Sequence, residues 1–231
     1  MKLNKKILIG LPRISRPLPK KLREWAEKTR FIVEITESLP QEAARSILVS
    51  KMYNENYDAI FFIDSDMEPE IIDLDKTIKH FYETQLPVIS CLTSTRGPHH
   101  KLLLFKKNEN ISYPELDENM YRKDHTIPVY AIGFGGCLIR REVFDKIGLP
   151  WFRTNWDYDI PETGERRLIG GTGMGADFFF SLRCNAENIP MHIDCGKILH
   201  HKELTPSTHF YGRLYPDEYK MRELEKLTGV G

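Results

Sequence analysis

Two carboxylates stand one residue apart at the end of an apolar run, in Tyr57-Asp58-Ala59-Ile60-Phe61-Phe62-Ile63-Asp64-Ser65-Asp66-Met67-Glu68-Pro69. The run from Ala59 to Ile63 is long enough for one buried strand. Pro69 keeps that strand from simply continuing. Carboxylates at the end of a buried strand are costly unless a cation lies on them. In an open α/β sheet, ligands bind where strands end at their carboxyl edge. Asp64 and Asp66 are therefore expected to hold a divalent metal, and the metal to hold a phosphate.

The elements that must position this pair follow from the pattern around it. Ile7 to Leu11 predicts a first strand buried on both faces, running into a proline-rich extended loop, Pro12 to Pro19. Arg13 and Arg16 lie there beside a strand end, as contacts to an anionic ligand or as solvated loop residues. A short polar helix over Lys20 to Thr29 and a β-branched strand over Phe31 to Thr36 come next. Ala44, Ile47, Leu48 and Met52 recur at helical spacing, which predicts an amphipathic helix over Gln41 to Asn54 with Arg45 inside it. With the strand ending at Asp66, the order is β-α-β-α-β, half of a parallel doubly wound sheet. A helix over Ile71 to Thr84 and a strand over Leu86 to Leu92 extend it, and Arg96 follows in a polar loop.

The second half is less regular. Leu102 to Lys106 reads as a short strand and Lys107 to Asp124 as irregular chain. A glycine segment, Gly133 to Gly136, precedes an apolar stretch and a short helix over Glu142 to Ile147. Arg153 to Gly173 has no clear period and reads as a loop. Gly175-Ala176-Asp177 then opens an aromatic helix, with Asp177 as its N-cap or as a site carboxylate. A late strand, Pro190 to Asp194, leads through Lys197 to a histidine pair, His200-His201.

Composition narrows the classes. The chain has 231 residues, with 33 basic and 33 acidic side chains, a balance that argues against a protein that coats nucleic acid. The four cysteines form no CxxC pair, so buried free thiols in a reducing compartment are expected. No apolar run approaches a membrane span, and the apolar run near the N-terminus is too short for a signal-peptide core. A soluble, cytoplasmic protein with no transmembrane segment and no nucleic-acid partner is the expectation.

The strand-end Asp-x-Asp, the glycine segment GFGGCLIRREVFDKIG (133–148), Trp151-Phe152 with the later Gly175-Ala176-Asp177-Phe178-Phe179-Phe180, and the strand Ile193-Asp194 leading to His201 occur in one order. Together they resemble a GT-A glycosyltransferase of the family 2-like group, over roughly residues 5 to 205. The resemblance implies an α/β, Rossmann-like GT-A fold: a mostly parallel central sheet with helices on both faces. It implies one catalytic domain over 1–205, with a donor half over about 1–100, an acceptor half over about 101–205, and a tail over 206–231.

It also implies a metal-dependent enzyme that moves a sugar from a UDP- or GDP-sugar to a glycan, lipid-linked or other hydroxyl acceptor. Mn²⁺ or Mg²⁺ would be held by Asp64, Asp66 and either His200 or His201, the imidazole favouring Mn²⁺. Asp177 would be the base that takes the acceptor proton in an inverting reaction. Pro12, Arg13, Arg45, Ser65 and Arg96 would lie against the nucleotide or its phosphates, with Asp66 the direct metal ligand and Asp64 nearer the ribose. Gly135 and Gly136 would let the backbone approach a sugar. Two further readings share the strand-end Asp-x-Asp: a nucleotidyltransferase, and a nucleotide-sugar-binding module without catalysis.

Overall fold

A computed structural model describes residues 6–13, 17–37, 39–69, 72–93, 104–105, 126–159 and 167–201, with backbone alone for 104–105, 155–159 and 167–174. Arg16, Arg96, the irregular stretch 107–124 and the tail 206–231 lie outside these residues.

The first half follows the expected alternation: β1 (Ile7–Arg13), α1 (Lys20–Lys28), β2 (Ile32–Glu37), α2 (Gln41–Asn54) and β3 (Ala59–Phe62). A two-residue strand β4 (Met67–Glu68), α3 (Leu74–Glu83) and β5 (Val88–Leu92) continue it. Next come the short strands β6 (Leu104–Phe105), β7 (Thr126–Val129), β8 (Ala131–Ile132) and β9 (Cys137–Arg140), then α4 (Arg141–Ile147). A hairpin of β10 (Asn155–Asp159) and β11 (Arg167–Met174), α5 (Ala176–Ala186), β12 (Met191–Ile198) and β13 (His200–His201) complete the order.

Seven strands form the central sheet, in the order β2-β1-β3-β9-β5-β12-β7. Five of them point the same way. β9 runs antiparallel to both its neighbours, β3 and β5, and β7 runs antiparallel to β12 at one edge. The chain leaves β1 outward to β2 and returns to β3 on the other side. That makes the β1/β3 boundary a switch point, where strand ends splay and leave a crevice.

Helices cover both faces. On one, Leu48, Val49 and Met52 of α2, Phe144 of α4 and Phe180 of α5 pack on Leu8, Ile60, Phe62 and Ile139. On the other, Leu22 of α1 and Leu74, Ile78 and Phe81 of α3 pack on Ile7, Ile9, Phe61 and Leu138. Alternate residues of each strand thus feed opposite layers, as a two-sided sheet requires. The fold is α/β and Rossmann-like, a mostly parallel central sheet with helices on both faces. Its four cysteines are free and buried, and among the described residues no helix is long and apolar enough to cross a membrane.

Three local expectations are corrected. β1 runs on through Pro12 and Arg13, which the sequence assigns to a loop. Beyond Gly10, β1 pairs with β2 alone, so the missing N–H of Pro12 deprives no ladder on the β3 side. The segment after α4, read as a loop without period, contains the β10–β11 hairpin, whose register shifts break the alternation that would reveal it. The strand expected to reach Asp66 stops at Phe62, because the chain turns there.

Candidate active site

The turn sets the geometry of the Asp-Ser-Asp triplet. The Ile63 N–H still donates to the Gly10 carbonyl (3.1 Å), and the Met67 N–H then donates to the Asp64 carbonyl (3.0 Å). Asp64 and Asp66 therefore sit on a tight turn, free of the strand rule that places residues i and i+2 on one face. Pro12 and Arg13 from the end of β1, and Asp64, Ser65 and Asp66 from the turn after β3, line one small cleft at the switch point. Arg13 is itself tied to Glu37 at the end of β2 (2.5 Å).

Asp64 faces a cation. Arg45 is 1% exposed, and its Nη2 donates to Asp64 Oδ1 at 2.7 Å. The guanidinium lies over the Phe134 ring, 4.8 Å from the centroid. An arginine on a helix is ordinarily solvated. Here the apolar face of α2 carries it inward, and its planar charge rests on an aromatic face.

Phe134 belongs to an aromatic cluster beneath the site. Its ring centroid is 5.7 Å from Phe62, 5.2 Å from Phe180 and 5.7 Å from Phe152. Phe62 is two residues before Asp64, and Phe180 is one helical turn after Asp177. Interlocked rings in a packed interior tolerate little displacement. The cluster thus fixes the end of β3 relative to the start of α5.

Asp177 is in the first turn of α5, whose N-cap is Gly175. It is not the cap itself. Its Oδ1 accepts the Phe178 N–H at 2.9 Å, and a Cβ at Gly175 would lie 2.6 Å from that oxygen, which accounts for glycine there. Withdrawal from water pushes the Asp177 carboxyl above its ordinary range, and the Asp64 charge adds to that. Arg45 and the Phe178 N–H oppose the shift.

The histidine pair returns to the same edge. β13 pairs antiparallel with β4, His200 opposite Glu68 and His201 opposite Met67, so His201 stands next to the turn that carries Asp66. His200 is fully buried, and burial, with His201 adding to it, pulls its imidazole down to about 4. Among the described residues no three His, Cys, Asp or Glu side chains converge tightly enough to cage a metal by themselves.

Gly135 and Gly136 meet protein. A Cβ at Gly135 would lie 2.0 Å from Met67 Cε and 2.7 Å from Thr93 Cγ2. One at Gly136 would lie 2.4 Å from Leu199 Cδ1. The buried Ser90 hydroxyl is shared between the Gly133 and Gly136 carbonyls (3.0 and 3.2 Å), pinning the turn. Close packing of this turn on β4 and on Leu199 accounts for both glycines.

Sequence reasoning missed Leu39, Gln41 and Ala44, which line the cleft beside the triplet. It also missed Phe134 as the support under Arg45. Gln41 precedes Arg45 by four residues on α2, hence on the same helix face; that spacing was the available signal.

No protein-family model matches the chain, and no curated protein matches it by sequence. Solved structures do. A197 from STIV superposes with a TM-score of 0.57 at 18% identity, covering 85% of each chain. GalNAc-T7, crystallised with UDP, GalNAc and Mn²⁺, gives 0.47 at 13% identity, covering 93% of this chain and 48% of its own. S. aureus TarS gives 0.43 at 10% identity, covering 96% of this chain and 42% of its own. At these identities the likeness is one of fold alone, an α/β fold shared with A197 from STIV.

Proposed function

We propose that the chain is a divalent-metal-dependent glycosyltransferase that moves a sugar from a nucleoside-diphosphate sugar to a hydroxyl acceptor. One observation carries the reading: the β4–β13 ladder brings the His200-His201 pair beside the Asp-Ser-Asp turn at the switch-point crevice. Segments nearly the whole domain apart in sequence are thereby neighbours at the strand ends, which supports a shared site.

The donor set suits Mn²⁺ or Mg²⁺. Asp66 and His201 are the proposed protein ligands, with oxygens of the bound diphosphate and water for the remaining positions, as is usual for such ions. The imidazole inclines the set toward Mn²⁺. When bound, the ion would neutralise charge on the departing diphosphate. Asp64, already on Arg45, is assigned to the nucleotide side, in the cleft that Pro12, Arg13 and Ser65 also line. A UDP- or GDP-sugar is the proposed donor. Asp177 is the proposed base. Its raised carboxyl holds a proton more readily than an exposed aspartate, which suits accepting one from an acceptor hydroxyl as the new bond forms.

The test is calorimetric titration with UDP- and GDP-sugars, with and without Mn²⁺. Metal-dependent binding of a sugar nucleotide, followed by transfer to a hydroxyl acceptor, is the expected result. Binding of nucleoside triphosphates alone would replace the reading with nucleotidyl transfer.

A further inference from the structure

Arg45 has more donors than partners. Its Nη2 is on Asp64, while Nε and Nη1 are buried with no hydrogen-bond acceptor among the described residues. Leaving two donors of a charged group unmet in a packed interior is costly unless they serve a neighbouring charge. The guanidinium lies on Phe134, and Phe134 touches both Phe62, on the strand that ends at Asp64, and Phe180, on the helix that begins at Asp177. Arg45 is also the side chain that most favours the ionised form of Asp177, while Asp64 opposes it.

We propose that Arg45 is the positioning residue that registers the two halves of the site, one buried guanidinium holding Asp64 on the donor side and supporting Asp177 on the acceptor side. This goes beyond the glycosyltransferase reading, and its role in transfer rests on that reading. A contact to the nucleotide, the role the family resemblance implies for Arg45, is the competing assignment. The burial of Arg45 and its seat on Phe134 favour positioning.

The first test uses the full chain without metal or nucleotide, so its outcome does not depend on whether the protein transfers sugar. Folding stability is measured for Arg45→Met, Asp64→Asn, Asp177→Asn and the doubles that contain Arg45→Met. If one cation serves both carboxylates, each Asp→Asn change is better tolerated in the Arg45→Met background than in the wild type. The expected difference is roughly threefold or more in the folding equilibrium for each pair. Additive behaviour of Arg45 with Asp177 would overturn the proposal. Should Arg45→Met fail to fold, Arg45→Gln takes its place in the same doubles, and additivity with Asp177 there is equally fatal.

The second test separates positioning from nucleotide contact. With Mn²⁺ and UDP as the probe, and GDP in parallel, Arg45→Lys should bind within about threefold of wild type. Its kcat for transfer should fall at least roughly tenfold, because an ammonium cannot reproduce the planar fork. A loss of UDP or GDP affinity as large as the loss of kcat would make Arg45 a ligand contact and overturn the proposal.

Discussion

Asp64 and Asp66 are two residues apart and line one cleft, yet the chain on either side of them leads to different regions. Asp64 looks back into the first half of the chain, onto a cation delivered by α2 and seated on an aromatic ring. After Asp66 the chain enters β4, against which β13 closes and sets His201 opposite Met67. The turn between them joins a carboxylate held by a buried guanidinium to one that leads into the strand paired with the histidines. The same pair of charges in sequence can thus carry two separate duties. Burial and neighbours, rather than spacing, decide which is which.

The largest expected effect would break that division outright. Asp66→Ala should abolish metal-dependent nucleotide binding, whereas unchanged UDP affinity in Mn²⁺, read by titration, would show that the two carboxylates do not differ in this way. Asp177→Asn should leave UDP affinity intact and lower transfer by roughly two or more orders of magnitude. Wild-type turnover in that variant would reduce Asp177 to a first-turn helix carboxylate.

Acid should then report on His200. The His200 imidazole is held near 4 in the folded chain, against an ordinary value of 6.5, so the unfolded chain binds the extra proton first. Its contribution is fully present above about pH 6.5 and is lost as pH falls toward 4, in total about 3 kcal/mol. Denaturant melts in metal-free buffers across that window check it, and His200→Phe should reduce the dependence by that amount. The smallest effect sharpens the other side. Asp64→Asn leaves the buried Arg45 charge without its carboxylate, and because Asp64 is partly exposed the expected cost is about 2 kcal/mol. It is measured by the same melts at neutral pH.

The two regions also differ in how far they could be read in advance. The segment from β1 to β3 was legible because its signals are local: a β-branched strand, an amphipathic period that gives α2 its bounds, an apolar run ending in carboxylates. In the second half the deciding contacts are distant. Cys137-Leu138-Ile139 announces a short buried strand, but nothing in its sequence says that it enters antiparallel between β3 and β5. The hairpin before α5 was hidden by register shifts and glycines. At the site, the Asp-Ser-Asp pair, Asp177 and the histidines were visible as residue types. That Arg45 would be buried rather than solvated was not, because Phe134, its support, lies 89 residues away in sequence and on another element.

The contact of Met67 with the glycine turn has a consequence for how this protein can drift. Met67 is fully buried, and its terminal methyl occupies the space that any side chain at position 135 would need. A methionine end can swing aside, but the Thr93 methyl on the same spot cannot. Positions 67, 93 and 135 should therefore change together across diverging copies of the chain, with a larger residue at 135 appearing only after both others have shrunk. Met67 follows Asp66 directly, so each such exchange would also re-aim the carboxylate. The permitted combinations at these three positions should be few, and a library randomised at all three should recover far fewer active members than libraries randomised at each alone would suggest.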